Sequence, residues 1–159
     1  MKNLKEYIVE GIFDIEDNID NVDKNIKNQI KQFLKDNFNG ISSCKISRKP
    51  NTEGKFEVSS SKDIRAKTCI TSLTNGLFVW TTVDGDFFCR QSKSLKSLKG
   101  SPKKVGGNFS CSWCYSLKSL EGAPKEVDGF FSCSECGITF TTDDVKEVSN
   151  VRGKIYTQY

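Results

Sequence analysis

An internal repeat of 22 residues constrains this chain more than any other feature of its sequence. Residues 93–114 and 115–136 match at 15 of 22 positions without a gap. The shorter motif Val-x-Gly-x-Phe-x-Cys recurs with the same period, beginning at Val83, Val105 and Val127. A decayed copy begins at Val151 after a 24-residue step. A period of about 20–30 residues predicts a solenoid, because one such unit cannot bury its apolar side alone.

Stacking of these units predicts which residues share the core. Equivalent residues of neighbouring units should lie one strand spacing apart, at about 4.8 Å. The expected pairs are Leu95 on Leu117, Leu98 on Leu120, Val105 on Val127, and Phe109 on Phe131. Gly107 and Gly129 are predicted to permit a bend or bulge where a side chain would not fit.

The repeat resembles a known family. The pattern F-x-C-x-x-C-x-x-L-x-x-L-x-x-x-P-x-x-V, over residues 76–156, is similar to leucine-rich repeats of a short bacterial subtype with a cysteine ladder. The resemblance implies that Cys114 and Cys136 bond to neighbouring backbone, with Ser92 as the polar substitute one turn earlier. It also implies parallel strands on one face, irregular convex segments and a binding role.

The rest of the chain divides into two segments. Residues 1–38 carry an apolar stripe at steps of three and four, which predicts an amphipathic helix that caps the solenoid. Residues 39–83 are a β-rich entry segment, with strands predicted at 41–47, 54–59, 64–70 and 77–83. Residues 84–159 are the predicted solenoid with its C-terminal cap. The expected fold class is therefore α+β, with a helical segment followed by a leucine-rich-repeat-like β-solenoid.

Composition excludes several classes of function. Histidine is absent, so neither a Ser-His nor a Cys-His nucleophile pair can form, and we expect no enzyme and no cofactor. No apolar run approaches the roughly 20 residues of a membrane helix. The seven cysteines are an odd number, and no secretory signal is visible, so free thiols in the cytoplasm are expected.

Two cysteine pairs leave a zinc site open as an alternative. Cys111 and Cys114, like Cys133 and Cys136, have the C-x-x-C spacing of zinc ribbons. The separation of the two pairs equals the repeat length, however, so repetition alone produces it. The preceding unit has Cys89 but no second cysteine. The sequence therefore favours a structural ladder without metal, because a buried free cysteine behaves as a small hydrophobe.

The outer face of the predicted sheet is the candidate binding surface. If Phe109 and Cys111 point inward, residues that alternate with them point outward. The candidate partner-binding residues on that side are Phe88, Arg90, Asn108, Trp113, Tyr115 and Phe130. Aromatic side chains with arginine are typical of interface anchors, so the predicted partner is a protein.

A basic segment provides the alternative function. Residues 39–108 carry thirteen basic residues against five acidic ones, whereas both ends of the chain are mildly acidic. Six cations lie in one stretch without an acid: Arg90, Lys93, Lys96, Lys99, Lys103 and Lys104. Such a run is a candidate site for nucleic acid or another polyanion.

The N-terminus carries a second resemblance. Met1 to Gly11 is similar to the leader peptides of accessory proteins in large tailed phages, which are cut after an Ile/Leu-x-Glu triplet, and Ile8-Val9-Glu10 fits that triplet. The resemblance implies a phage-encoded protein that engages a host factor in the host cytoplasm, or one packaged in the virion interior.

Overall fold

The computed structural model describes the backbone of residues 4–158 and the side chains of residues 21–158. The apolar stripe predicted over residues 1–38 includes Ile15 and Ile19, and these side chains lie outside the described ones, as does the triplet Ile8-Val9-Glu10. The elements in chain order are α1 (Leu4–Asn37), β1 (Phe38–Asn39), a 3-10 turn (Ile41–Ser43), β2 (Cys44–Ile46), β3 (Phe56–Ser60), β4 (Ile64–Ala66), β5 (Phe78–Val83), β6 (Phe87–Phe88), β7 (Lys104–Val105), β8 (Phe109–Ser110), β9 (Glu126–Val127), β10 (Phe131–Ser132), α2 (Thr142–Val148), β11 (Asn150–Val151) and β12 (Ile155–Tyr156).

The strands form a β-solenoid of five coils. Sheet A has the order β1-β4-β6-β8-β10-β12, and sheet B has the order β11-β9-β7-β5-β3-β2. Each coil, from β3–β4 to β11–β12, gives one strand to each sheet. Neighbouring strands are parallel, except that β1 and β2 add to the first coil antiparallel. The predicted solenoid is therefore confirmed.

The strand register follows the sequence repeat. In sheet A, Phe87 pairs with Phe109, which pairs with Phe131. In sheet B, Val105 pairs with Val127, which pairs with Val151 of the decayed copy. The decayed copy is thus the fifth coil, and its longer step accommodates α2.

A second parallel sheet separates this fold from the architecture that the leucine-rich-repeat resemblance implies. That resemblance places parallel strands on one face only, but here both sides of the core are parallel sheets. Each repeat has two apolar anchors four residues apart, such as Val105 and Phe109, and both are fully buried. A corner at Gly106 and Gly107 turns the chain between them, so each anchor belongs to its own two-residue strand.

The repeated glycines allow close approach between coils. A Cβ atom on Gly129 would lie 2.7 Å from the carbonyl oxygen of Gly107, and one on Gly107 would lie 2.8 Å from the carbonyl carbon of Gly85. The chain bends at Gly107 and Gly129, and a side chain would not fit there, as the sequence predicts; the atoms that exclude the side chain belong to the preceding coil.

Parallel stacking begins upstream of the recognisable repeat. β3 pairs in parallel with β5, with Phe56 opposite Phe78 and Val58 opposite Trp80. Ile70 and Leu73 are fully buried, as are Leu95 and Leu98 in the next coil. The first coil therefore shares the core although its sequence has diverged.

Helix α1 covers the first coil. Ile30 is fully buried, Leu34 and Phe38 are each 2% exposed, and all three belong to the same core cluster as the solenoid. The Phe38 ring meets Trp80 edge-on at 5.6 Å and Phe87 at 6.1 Å. Among the described residues, no helix is long and apolar enough to cross a membrane.

Candidate binding face

A ladder of polar side chains borders sheet A on its outer side. Asp63 Oδ1 accepts a hydrogen bond from the N–H of Asp86, and Asp86 Oδ1 accepts bonds from both the backbone and side-chain nitrogens of Asn108. Asn108 Oδ1 in turn accepts the N–H of Phe130 at 2.9 Å. Asn108, a predicted partner-binding residue, is therefore engaged in holding three coils in register.

Aromatic rings cover the middle of the sheet. Phe88 precedes the third coil and Phe130 follows it, yet their rings stack with centroids 6.5 Å apart and an interplanar angle of 17°. Between them the third coil carries Ser110 and Ser112, which alternate with Phe109 and Cys111 and are therefore predicted to point outward from the sheet. Both serines are buried, and Ser112 shares a 2.7 Å hydrogen bond with Ser132.

Two arginines and a tyrosine extend this aromatic surface. The guanidinium carbons of Arg90 and Arg65 lie 4.3 Å and 5.5 Å from the centroid of the Phe88 ring. At the other side, Tyr156 meets Phe130 edge-on at 5.6 Å. We call this contiguous set the aromatic strip; it consists of Arg65, Phe88, Arg90, Phe130 and Tyr156. A cation over an aromatic face is attracted by the ring quadrupole, so the arginines are held in place.

A small cavity lies at the corner where the strands of sheet A end. The corner cavity has a volume of about 380 Å³ and is lined by Thr68, Gln91, Lys93, Trp113 and Tyr115. Trp113 and Tyr115 are 37% and 50% exposed, and their rings meet edge-on at 6.4 Å.

The backbone at this corner explains the position of Trp113. Gln91, Trp113 and Glu135 occupy the same place in three successive coils, and each has a left-handed backbone with φ of 59°, 65° and 55°. Residues with a Cβ avoid this region, which costs roughly 1–2 kcal/mol. The tight turn therefore displays one side chain per coil at the surface.

The basic segment does not form one patch. Residues 90–104 run from the end of β6 in sheet A to β7 in sheet B, so the six cations spread around one coil. Lys99 pairs with Glu121 of the next coil at 3.0 Å, and Lys104 pairs with Glu126 at 3.1 Å. Arg90 belongs to the aromatic strip and Lys93 to the corner cavity, whereas Lys96 and Lys103 are exposed.

The cysteines form a ladder along the core. Cys114 Sγ donates to the carbonyl oxygen of Cys89 at 3.0 Å, and Cys136 Sγ donates to that of Cys111 at 3.3 Å. All seven cysteines are free thiols. In the part of the chain that the structure describes, no three Cys, Asp or Glu side chains come together as metal ligands. The four thiols of the alternative zinc site, which includes Cys133, are buried or half-buried along this stack.

Burial and mutual hydrogen bonding keep most of these thiols protonated. The hydrogen bond to Cys114, together with burial, raises the pKa of Cys89 well above its usual range, and Cys136 has the same effect on Cys111. Burial raises the pKa of Cys133 to about 12. Reactive cysteines have lowered pKa values and partial exposure, so these three are suited to packing and not to nucleophilic chemistry.

Several residues of this face were missed from the sequence. Arg65 pairs with Phe88, and Ser132 pairs with Tyr156, so both missing members of the aromatic strip are repeat equivalents. Extending the alignment one coil in each direction would have found them. Gln91 of the corner cavity depends on the left-handed turn, which its residue type does not signal.

Comparisons with protein-family models, with curated proteins and with solved structures give no match.

Proposed function

We propose that this protein is a non-enzymatic binding module that contacts a protein partner through the outer face of sheet A. The observation that carries the proposal is the aromatic strip together with Trp113 and Tyr115. Aromatic and arginine side chains clustered on one surface are the typical anchors of protein interfaces. A patch of exposed aromatic side chains in mutual contact is typical of an interaction site.

The two outer faces of the solenoid differ in the way this proposal requires. Sheet B carries ion pairs between coils, such as Lys104 with Glu126 and Arg152 with Asp128 at 3.0 Å. Such pairs satisfy one another in solvent and add little to binding. Sheet A instead presents rings and cations, and the carboxylates of Asp63 and Asp86 are engaged in backbone hydrogen bonds.

The chemistry of the face favours a partner with acidic and apolar side chains. The guanidinium groups of Arg65 and Arg90 lie over the Phe88 ring. Lys93 lines the corner cavity beside Trp113 and Tyr115. A carboxylate at Lys93, flanked by an apolar group on the two rings, would use both features of the cavity. The proposed partner is a host protein, as the resemblance to phage leader peptides implies. The phage origin of the chain and its membership of the leucine-rich-repeat family are predictions.

The test is capture by crosslinking from bacterial lysate with matched variants. Tyr115→Ala and Tyr156→Ala remove exposed rings from sheet A, whereas Lys125→Ala and Glu126→Ala alter exposed residues beside and on sheet B. We expect the sheet A pair to lower capture of a specific protein at least about tenfold, because truncating an anchor often costs about 2 kcal/mol. The sheet B pair should leave capture unchanged, and loss in the sheet B pair alone would overturn the proposal.

Polyanion binding through the basic segment is the competing outcome. Titration with single-stranded DNA and RNA at physiological salt separates the two functions, because phosphate contacts release counterions and weaken steeply with salt. Polyanion binding would be favoured if DNA or RNA bound with micromolar or tighter affinity, if the double variant Lys93→Ala/Lys96→Ala lost this binding, and if Tyr115→Ala kept it. For the zinc alternative, one zinc per chain by elemental analysis, lost together with the fold, would favour a metal module.

A further inference from the structure

A basic groove lies between helix α1 and the edge of sheet B, away from the aromatic strip. Its volume is about 460 Å³. The apolar floor consists of Leu34, Ile41, Cys44 and Ile46, and the rim carries four cations: Lys27, Lys31, Lys35 and Arg48. Among residues 21–158, no carboxylate lines this groove. β2 is the outermost strand of sheet B, so the groove has no further strand on that side.

The cations of this groove differ from those of the solenoid. Lys99 and Lys104 each meet a glutamate of the next coil, whereas Lys31, Lys35 and Arg48 have no ion pair within the described residues. Lysines four residues apart on one helix repel each other and destabilise it by a few tenths of a kcal/mol per pair. The groove therefore has a positive charge that its described lining residues do not balance.

The sequence of the same helix reverses its charge half-way along. Residues 1–23 contain seven acidic residues and two lysines, whereas residues 24–35 contain four lysines and no acid. The helix macrodipole favours acids at the start and lysines at the end, but its influence fades within the first and last turns. It does not explain Asp17 and Lys24, which lie in the middle of α1.

The two charged halves are mirror images in spacing. Four acids occur at steps of 4, 4 and 3, and four lysines occur at steps of 3, 4 and 4: Glu6, Glu10, Asp14 and Asp17, followed by Lys24, Lys27, Lys31 and Lys35. In two antiparallel copies of α1, residues whose numbers sum to 41 lie opposite each other. Residue 6 then falls opposite 35, 10 opposite 31, 14 opposite 27, and 17 opposite 24, so every pair joins opposite charges.

We propose that α1 pairs antiparallel with α1 of a second copy of this chain, in the register that sums to 41. The acidic half of each helix then occupies the basic groove of the other. Ile26 and Phe33 lie on the opposite side of α1 from the four lysines and pack against the solenoid core, so the pairing leaves those contacts in place. The contact is a closed two-fold interface, in which the same patch serves both partners. It is independent of the proposed function of sheet A.

The test is a charge exchange, followed by sedimentation velocity on the full chain. The basic set is K24E/K31E/K35E, which omits Lys27 because its ammonium contacts the Arg48 carbonyl and the Phe56 ring. The acidic set is E6K/E10K/D17K, the positions opposite in the proposed register. The wild type should dimerise, and its dissociation constant should rise at least about tenfold between roughly 50 mM and 500 mM salt.

Each set alone should be monomeric, because like charges then face each other at three of the four pairs and only residues 14 and 27 still attract. An equimolar mixture should form a heterodimer, since all four pairs then join opposite charges again. The control K96E/K118E/K125E makes the same change of charge at exposed lysines of the solenoid and should dimerise like the wild type.

A wild type that stays monomeric at about 100 μM and low salt, where even modest affinity would show, overturns the proposal. A mixture of the two sets that does not associate, or a set that self-associates alone, also overturns it. Where circular dichroism shows that a triple variant does not fold, the single variants K31E and E10K replace the two sets. Each alone should dimerise more weakly than the wild type, and their mixture should associate more tightly than either, with smaller changes in the dissociation constant.

Discussion

The Cys114 thiol donates a 3.0 Å hydrogen bond to the carbonyl oxygen of Cys89 in the preceding coil. Cys136 repeats this bond with Cys111 in the next coil. The resemblance to leucine-rich repeats implied such a ladder, and the geometry of both rungs confirms it. Ser92 occupies the equivalent position one coil earlier, but its buried hydroxyl has no hydrogen-bond partner among the described residues.

Ser92→Cys should therefore extend the ladder. A C–S bond is longer than a C–O bond, so we expect the thiol to reach the carbonyl of Ala66, which the strand register makes equivalent to Cys89. We expect the free energy of unfolding to rise by about 0.5–1 kcal/mol in urea titrations, the usual net value of one added hydrogen bond. Ser92→Ala, which removes an unpartnered hydroxyl, should be neutral. Destabilisation by Ser92→Cys would show that the site cannot hold sulfur.

The buried thiols predict a loss of stability in alkali. Burial raises the pKa of Cys133 to about 12 and that of Cys44 to about 11, from an ordinary value of 9.0. Above about pH 9 the unfolded chain releases these protons while the folded chain keeps them, so the free energy of unfolding falls as pH rises. Urea titrations between about pH 8 and 11 should show this fall, and Cys133→Ala should flatten it. An equal slope in Cys133→Ala and in the exposed-site control Cys69→Ala would contradict it.

The glycine contacts between coils predict that Gly129→Ala destabilises the fold more than Gly76→Ala. Gly129→Ala places a methyl group 2.7 Å from the Gly107 carbonyl oxygen, so the coils must separate. We expect a loss of about 2–3 kcal/mol, as in overpacked cores. A Cβ at Gly76 would meet no atom within 4 Å. Gly76→Ala must therefore accommodate only the left-handed backbone, with its φ of 84°, which costs about 1–2 kcal/mol of stability. Thermal melts of both variants measure the difference, and equal melting temperatures would exclude steric contact as the reason for Gly129.

The sequence repeat predicts the register of the solenoid because equivalent residues must stack. Phe109 on Phe131 and Val105 on Val127 follow directly from the period of 22. The second sheet does not follow, because two-residue strands leave no alternating pattern that a period of two could reveal. The partners of Phe88 and Phe130 were also out of reach, since ring stacking across an intervening coil depends on the small size of Ser110.

The helical cap provides the last prediction. Ile30 is fully buried against the first coil, whereas Val22, two turns earlier on the same stripe, is 57% exposed. Ile30→Asp buries an unpaired carboxylate, so we expect it to cost about 4 kcal/mol or more and to expose the core of the solenoid. Val22→Asp should change the free energy of unfolding by about 0.5 kcal/mol or less, as most surface substitutions do. Both are measured by urea titration at high salt, where the proposed helix pairing is screened. If Ile30→Asp stays as stable as the wild type, the first coil does not depend on α1 and the helix is a separate module.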